Sequence, residues 1–225
     1  GNTDCQASGL PSQEELTLLE PWRKEVPAAT FGTMAVPPRT DGASSLRGNL
    51  RQAQALLKLA GWEVRDGALR NAQGRAFEFE YLDSNDGGAR VLAPWMRSLE
   101  KLGIKLNFRP VDFALYQQRL HKFEFDITTM AYGGTHNPGQ EYADMFGSKA
   151  ADIEDSGNLT GVKNVAVDAL IMKMTSAKSK AELLPACRAL DRVISHSHLL
   201  IPQWTAVNHR MVYNDWRVAK PPNMP

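Results

Sequence analysis

A β-prone run reads Phe125-Asp-Ile-Thr-Thr-Met-Ala-Tyr132 and ends in Gly133-Gly134, after which a polar loop opens. A strand that ends in two glycines leaves backbone N–H and C=O groups with little side-chain cover. An extended ligand can pair with such groups as an added strand would. Because a Gly-Gly pair after a strand is usually only a turn, the surrounding sequence has to decide what this segment does.

Strand-like and helix-like segments alternate before this run. The predicted strands are Phe77–Leu82, Ile104–Val111 and Phe125–Tyr132, separated by a helix through Val91–Leu102 that Gly103 ends and by a helix over Asp112–Lys122. The first strand alternates aromatic with acidic residues, which predicts that one of its faces is largely exposed. Trp95 lies on the apolar side of its helix and is expected in the core.

This order of strands and helices predicts two right-handed crossovers that build a parallel sheet with helices packed on it. Ligands of such α/β sheets bind outside the carboxyl ends of the strands. Tyr132-Gly133-Gly134 is predicted to be such an end.

The rest of the chain is mainly helical. Helices are predicted over Ser12–Glu20 with Ser12 as the cap, from Ser45 to a stop at Gly61, and over Ala166–Thr175 and Lys180–His196; apolar strands are predicted at Leu199–Trp204 and His209–Tyr213. Residues 1–48 are otherwise irregular and form an extended N-terminal arm with one short helix.

Composition excludes several functional classes. The 225 residues are 43% apolar and 23% charged with a net charge of +1, which is typical of a soluble globular protein. Lys and Arg are interleaved with acids, so no nucleic-acid surface is predicted, and no apolar run reaches the ~18 residues of a membrane span. Cys187 lies in an apolar helical pattern, which favours a buried free thiol over a bridge to Cys5.

The sequence offers little for catalysis or for a cofactor. Its five histidines are scattered apart from His196 and His198, and no metal-binding motif occurs, so no metal site is predicted. No nucleophile motif and no phosphate-binding glycine motif is present, and we predict neither catalytic residues nor a cofactor. Scattered carboxylates such as Asp126 and Glu141 are more typical of caps and ion pairs than of acid–base catalysis.

Several stretches carry a resemblance to a known family. In chain order they are Gly9-Leu-Pro-Ser-Gln-Glu-Glu-Leu16, Asn49-Leu-Arg-Gln-Ala-Gln-Ala-Leu-Leu-Lys-Leu-Ala-Gly-Trp62, Trp95-Met-Arg-Ser-Leu-Glu-Lys-Leu-Gly-Ile-Lys-Leu106, Phe123-Glu-Phe-Asp-Ile127 and Asn137-Pro-Gly-Gln-Glu141. With these stretches in order, the chain resembles the extracellular solute-binding proteins of family 5. Within that family it is most similar to the branch that binds oligopeptides and the peptide–nucleotide antibiotic microcin C.

The resemblance implies a fold, a function and partners. The fold would be an α/β lobe of the type II periplasmic-binding-protein kind, with a central, mainly parallel sheet flanked by helices. Residues 49–217 would be the second lobe of a two-lobed protein, and 218–225 a truncated tail. The parent protein would be periplasmic, with its signal peptide and first lobe outside this sequence. It would capture oligopeptides or peptide-like compounds between its lobes for the membrane permease of an ABC transporter.

The ligand is expected at the end of the third predicted strand. The candidate binding residues are Ala131, Tyr132, Gly133, Gly134, Thr135, His136, Asn137, Glu141 and Trp204. Many peptide binders of the family carry an Asp near the position of Gly134, where it pairs with the peptide amine; here no carboxylate stands there. Glu141 is equally consistent with a substitute and with a structural role, and Trp204 with a cleft and with a core position.

Three alternatives stay open from the sequence. The first is a small α/β enzyme that uses Asp126, His136 and Glu141. The second is a binding protein for a non-peptide ligand, such as a sugar or a nucleotide conjugate. The third is a scaffold domain without a ligand of its own.

Overall fold

The computed structural model describes residues 3–41, 45–132 and 138–203. Its α-helices are α1 Gln13–Leu19, α2 Leu46–Leu59, α3 Gly88–Glu100, α4 Phe113–His121, α5 Glu141–Phe146, α6 Val165–Thr175 and α7 Lys180–His196. Its strands are β1 Glu63–Arg65, β2 Ala68–Arg70, β3 Glu78–Asp83, β4 Lys105–Pro110 and β5 Ile127–Thr128. Short 3-10 helices cover Thr3–Cys5, Glu20–Trp22 and Ala28–Phe31.

The predicted helices begin where polar side chains cap them. Ser12 Oγ accepts a hydrogen bond from the Glu15 N–H, 3.2 Å away, at the start of α1. Ser45 does the same for Gly48 at 3.0 Å, at the start of α2. Each cap satisfies a backbone donor that the first turn of a helix leaves without a partner. The helices predicted at Ser12–Glu20 and from Ser45 to Gly61 are therefore confirmed as α1 and α2.

The central sheet is parallel and has the strand order β4-β3-β5. Its register pairs Glu78 with Lys105 on one side of β3, and Tyr81 with Ile127 on the other side. The chain thus crosses from β3 to β4 through α3, and from β4 back over β3 to β5 through α4. The predicted order of parallel strands and crossover helices is confirmed.

The third strand is much shorter than predicted. β5 covers only Ile127–Thr128, whereas the sequence predicts a strand over Phe125–Tyr132. Side-chain hydrogen bonds to the backbone of β3 are made just before this strand and at its last residue. The Asp126 carboxylate accepts from the Glu80 N–H at 2.8 Å, and the Thr128 hydroxyl donates to the Leu82 carbonyl at 3.1 Å. Short polar side chains compete with a ladder in this way, which ends the strand early.

Two expectations about burial near the sheet are wrong. Tyr81 is 4% exposed and Leu82 is 0% exposed, so neither face of β3 is largely open at its carboxyl end. The crossovers to β4 and to β5 run in opposite directions across the sheet. Because both are expected to be right-handed, their helices cover opposite faces of β3. Trp95 is half-buried rather than fully in the core, with its ring centroid 6.2 Å from that of Phe79.

A hairpin of β1 and β2 adds to the edge of the fold and was not predicted. Its turn is Asp66-Gly67, and both residues have positive φ angles of 52° and 76°. Asp-Gly is the residue pair that such two-residue turns favour. The hairpin contacts the sheet layer at Gly103, whose carbonyl accepts from the Leu69 N–H at 2.7 Å.

Two hydrophobic clusters hold the described residues together. The sheet cluster consists of Leu69, Leu102 and Ile104, with half-buried side chains from α2, α3 and β3 around it. The helical cluster is larger and is built mainly from α5, α6 and α7, with Leu19 and Val26 from the N-terminal segment. The segment 3–31 thus packs on α7; the predicted boundary at residue 48 stays a prediction.

The described residues after α7 do not form the strand that the sequence predicts at Leu199–Trp204. Residues 199–203 are not in a strand, and Leu199 and Ile201 are 42% and 68% exposed. Among the residues that the structure describes, no strand lies beside this segment, so its apolar pattern has no ladder to join. The strand predicted at His209–Tyr213 lies outside the described residues. Within the described ranges, no helix is both long and apolar enough to cross a membrane.

Candidate functional site

The candidate site lies at the carboxyl edge of the central sheet. β3, β4 and β5 end at Asp83, Pro110 and Thr128, and because the strands are parallel these ends share one edge. β5 is an outer strand of this sheet, and in the described part of the chain no strand pairs with its other side. The chain leaves the sheet after Thr128, so Thr129–Tyr132 lies at the edge where ligands of α/β sheets bind.

A set of hydroxyl groups fixes the position of this exit. The Tyr116 hydroxyl lies 3.1 Å from Thr128 Oγ1 and 3.4 Å from the Thr129 carbonyl oxygen. Thr128 donates its single hydroxyl proton to the Leu82 carbonyl. The Tyr116 hydroxyl is therefore the donor, either to Thr128 Oγ1 or to the Thr129 carbonyl. The Tyr81 hydroxyl bonds the Thr129 hydroxyl. Two tyrosines from α4 and β3 therefore hold the first residue after β5.

The environment of Tyr81 is shielded from water and lies near a negative charge. Its ring stacks on Phe108, with 6.0 Å between the centroids. Burial raises the pKa of Tyr81; the bond to Thr129 opposes this rise, and the nearby Asp83 carboxylate adds to it. The Tyr81 hydroxyl therefore stays protonated at neutral pH and keeps its hydrogen bond to Thr129.

Asp83 orders the loop that follows β3 at the same edge. Its Oδ1 accepts from the Asn85 N–H at 3.0 Å, and Asn85 Oδ1 accepts from the Gly87 N–H at 2.8 Å. The loop then enters α3 at Gly88, where a Cβ atom would lie only 2.1 Å from Asp83 Oδ2. Glycine at this position lets the helix start directly beside the carboxylate.

The predicted site residues are only partly described. Ala131 and Tyr132 are exposed, and the Tyr132 ring lies 6.0 Å from the ring of Phe146 at the end of α5. Burial of part of its ring raises the pKa of Tyr132. Glu141 is half-buried and is the first residue of α5, so Tyr132 and Glu141 belong to neighbouring parts of the fold. The other predicted residues, Gly133, Gly134, Thr135, His136, Asn137 and Trp204, lie outside the described residues.

Sequence reasoning missed the residues that hold the exit segment, Thr129–Tyr132, in place. Tyr81 and Tyr116 are 35 positions apart, and each reaches the Thr128-Thr129 pair only because β5 returns beside β3. Gln203 also reaches the site, with Nε2 3.5 Å from Thr129 Oγ1. The one local signal was the Thr128-Thr129 pair, which places two hydroxyls in the middle of the predicted strand.

Asp126 is one of the three residues that the enzyme alternative would use, and the structure shows what its carboxylate contacts. Asp126 precedes β5, whereas the exit segment follows it, and the Asp126 carboxylate accepts the Glu80 N–H. The Asp126 carboxylate therefore serves the backbone of β3 at the amino end of β5. In the ranges 3–41, 45–132 and 138–203, no group of three or more His, Cys, Asp or Glu residues is arranged to hold a metal ion.

Residues 23–153 match the family described as bacterial extracellular solute-binding proteins, family 5, middle region. The chain belongs to this family. Its relatives include the probable peptide-binding protein YejA of Agrobacterium fabrum, which is 37% identical over 225 residues. That match covers 99% of this chain and 36% of YejA. The peptidoglycan-binding protein YepA of the same organism is 32% identical over 212 residues, covering 91% of this chain and 34% of YepA.

A solved structure shares the fold. The oligopeptide-binding protein AppA of Bacillus subtilis, in complex with a nonapeptide, superposes with a TM-score of 0.58 at 18% identity. The superposition covers 83% of this chain and 38% of AppA. The predicted fold class, an α/β lobe of the type II periplasmic-binding-protein kind with a parallel sheet flanked by helices, is thereby confirmed. This family 5 chain spans about a third of the length of the relatives it matches.

Proposed function

We propose that this chain is part of the substrate-binding component of an ABC importer, which captures oligopeptides or peptide-like compounds between two lobes. Membership of family 5 and the 37% identity to a probable peptide-binding protein support this function. The parent protein would act in the periplasm and deliver its ligand to a membrane permease. The first lobe of the same protein would supply the opposite wall of the cleft.

The observation that carries the proposal is the early end of β5. The backbone leaves the ladder after Thr128, and Met130, Ala131 and Tyr132 are exposed beyond it. A peptide in extended form would pair with this backbone as an added strand. Such pairing depends on main-chain groups of the ligand, so peptides of different sequence would bind with similar geometry.

Tyr132 gives this backbone an aromatic neighbour. Tyr132 is 39% exposed, and its ring lies beside that of Phe146. An aromatic ring fixed on one face offers its other face to ligand side chains or to sugar rings. The remaining candidate residues, Gly133–Asn137, Glu141 and Trp204, would line the same cleft. The proposed role is binding and release, without catalytic residues or a cofactor.

A free peptide amine is not needed in this proposal. No carboxylate follows Tyr132 directly, where many peptide binders of the family have an Asp. The ligand would therefore be held by its backbone and not by an ion pair at its amino end. Peptides whose amino group is acetylated are expected to bind nearly as well as free ones.

One observation favours a second candidate ligand. A relative that is 32% identical over 91% of the chain is named a peptidoglycan-binding protein. Fragments of peptidoglycan carry short peptides on sugars, so they present a peptide backbone to the same edge together with a sugar. A sugar-linked peptide would thus use the same strand-addition mechanism.

Calorimetric titration of the full-length protein tests the proposed function. The ligands are a mixture of tri- to hexapeptides, the same mixture after N-acetylation, and a sugar-linked muropeptide. Binding of free and acetylated peptides with affinities within about threefold is expected. A loss of more than tenfold on acetylation would contradict backbone capture without an amine anchor. Absence of peptide binding together with muropeptide binding would favour the second candidate, and absence of all binding would contradict both.

A further inference from the structure

The 3-10 helix Thr3–Cys5 lies along the first turns of α7. Lys180 Nζ is 2.6 Å from Asp4 Oδ2, and Arg188 Nε donates to the Asp4 carbonyl oxygen at 3.0 Å. Three residues further on, the Ala7 N–H donates to Asp191 Oδ2 at 2.8 Å. These contacts on both sides of Cys5 fix its backbone beside the turn of α7 that carries residues 188–191.

The two cysteines of the chain meet at this contact. Cys187 directly precedes Arg188 and is 5% exposed, and Cys5 is half-buried against the same helical cluster. Both thiols are free, and Cys5 lies near enough to Cys187 to affect its pKa. Burial, together with the nearby Cys5, raises the pKa of the Cys187 thiol to about 12.

We propose that Cys5 and Cys187 form an intramolecular disulfide that closes by exchange with a small disulfide and ties the N-terminal segment to α7. The expectation of an unbridged Cys187 rested on the apolar helical pattern around it, which does not reveal that the segment 3–7 lies along α7. The inference does not depend on the proposed ligand, so its test and the binding test can fail separately.

The chemistry balances as a two-step exchange. The Cys5 sulfur is the more accessible one, so its thiolate attacks the small disulfide; this forms a mixed disulfide and releases one small thiol. The Cys187 thiolate then attacks the Cys5 sulfur and releases the second small thiol. The two cysteines lose two protons and two electrons, which the small disulfide gains as its two halves become thiols.

The second step is expected to be slow at neutral pH. Burial, the largest cause of the raised pKa of Cys187, persists in the mixed disulfide, so this thiol stays mostly protonated near pH 7. Well below the pKa of a thiol, each increase of one pH unit raises its thiolate fraction about tenfold, so closure of the mixed disulfide should accelerate as the pH is raised.

Peptide mapping of the full-length protein tests the bridge directly. The protein is equilibrated with oxidised glutathione, denatured with N-ethylmaleimide but without reductant, and digested with trypsin. The peptide Ala181–Arg188, which carries Cys187, is expected to be linked to the peptide that carries Cys5. Recovery of both cysteines with maleimide, or with glutathione alone, would overturn the proposal.

Thermal unfolding supplies a second readout. The oxidised protein is expected to unfold about 4–16 °C above the reduced protein, the range that a stabilising disulfide gives in a domain of this size. Cys5→Ser should abolish this difference and is the safer variant, because Cys5 is only half-buried. Cys187→Ser should abolish it as well. A difference that persists unchanged in Cys5→Ser would overturn the proposal.

Discussion

Glu15 and Arg192 lie 177 positions apart and form a buried ion pair, with 2.6 Å between Glu15 Oε2 and Arg192 Nε. Their side chains are 5% and 0% exposed. The same guanidinium donates to the carbonyl oxygens of Ser8, Gly9 and Gly32 at 2.9 to 3.4 Å. One side chain of α7 thus binds Ser8-Gly9, Glu15 and Gly32, which are separate in the N-terminal part of the chain.

Replacing Arg192 by Met is expected to lower the free energy of unfolding by about 3–5 kcal/mol, because the Glu15 carboxylate stays buried without its partner. Adding Glu15→Leu should recover part of that loss by removing the buried charge. Urea unfolding of the single and double variants measures both effects. If the double variant lost as much free energy of unfolding as the two single variants together, the pairing would be contradicted. Arg39→Met is the control, since its pair with Asp41 is exposed and should matter little.

His196 is expected to make the protein less stable in mild acid. It is 7% exposed, and in the described part of the chain its Nε2 has no hydrogen-bond partner. Burial lowers the pKa of His196 below the ordinary 6.5, and the charges of His198 and Arg192 act in the same direction. As the pH falls below 6.5, the unfolded chain binds a proton that the folded protein does not, so stability falls until the folded pKa is reached.

Denaturant unfolding at several values between about pH 7 and pH 5 measures this effect. His196→Gln should make the decline in stability with falling pH shallower than in the unmodified protein. An unchanged slope would contradict the assignment to His196. His121→Gln is the matched control, because the His121 imidazole is exposed and pairs with Asp155 at 3.0 Å, so its loss should not make the decline shallower.

Two glycines of similar backbone conformation allow a test of how the hairpin docks. Gly103 and Gly67 both have a φ of 76°. A Cβ atom on Gly103 would lie 2.7 Å from the Leu69 nitrogen, whereas one on Gly67 would meet nothing within 4 Å. Gly67→Ala should therefore cost only the backbone strain, about 1–2 kcal/mol. Gly103→Ala should cost about 1–3 kcal/mol more, because the hairpin backbone must move. Equal losses in thermal unfolding would show that the hairpin yields freely.

Strand addition predicts that one backbone N–H after β5 is essential for ligand binding. Proline removes this donor, and along an extended segment successive N–H groups point in opposite directions. Of Met130→Pro and Ala131→Pro, one is expected to weaken peptide binding by tenfold or more and the other much less. Calorimetry on folded variants measures this, with Met130→Val and Ala131→Val as controls that keep the N–H. Unchanged binding in both proline variants would exclude capture by this backbone.

The helices could be predicted because their signals are local. Ser12, Ser45 and Asp112 each stand before an apolar helical pattern, and each accepts a hydrogen bond from the first turn of its helix. The parallel sheet followed from the same patterns, since crossover helices leave few topologies. The hairpin at Asp66-Gly67 carries an equally local signal, because Asp-Gly favours a two-residue turn.

The length of β5 and the contacts of the exit segment could not be predicted, because they depend on distant residues. Asp126 and Thr128 bond backbone groups of β3 that lie 46 positions earlier. Nothing near either residue indicates that its side chain bonds the backbone of β3. Tyr81 and Tyr116 meet Thr128 and Thr129 for the same reason.

The unequal size of the two hydrophobic clusters has a consequence for hydrogen exchange. The helical cluster includes fully buried residues from both α6 and α7, whereas the sheet cluster has three buried residues next to the strands that carry the candidate site. Segments with fewer buried apolar contacts open at lower free energy. Backbone amides of β3 and β5 should therefore exchange with solvent sooner than those of α6 and α7. The proposed ligand would then contact the strands, which open more readily, while α6 and α7 stay closed.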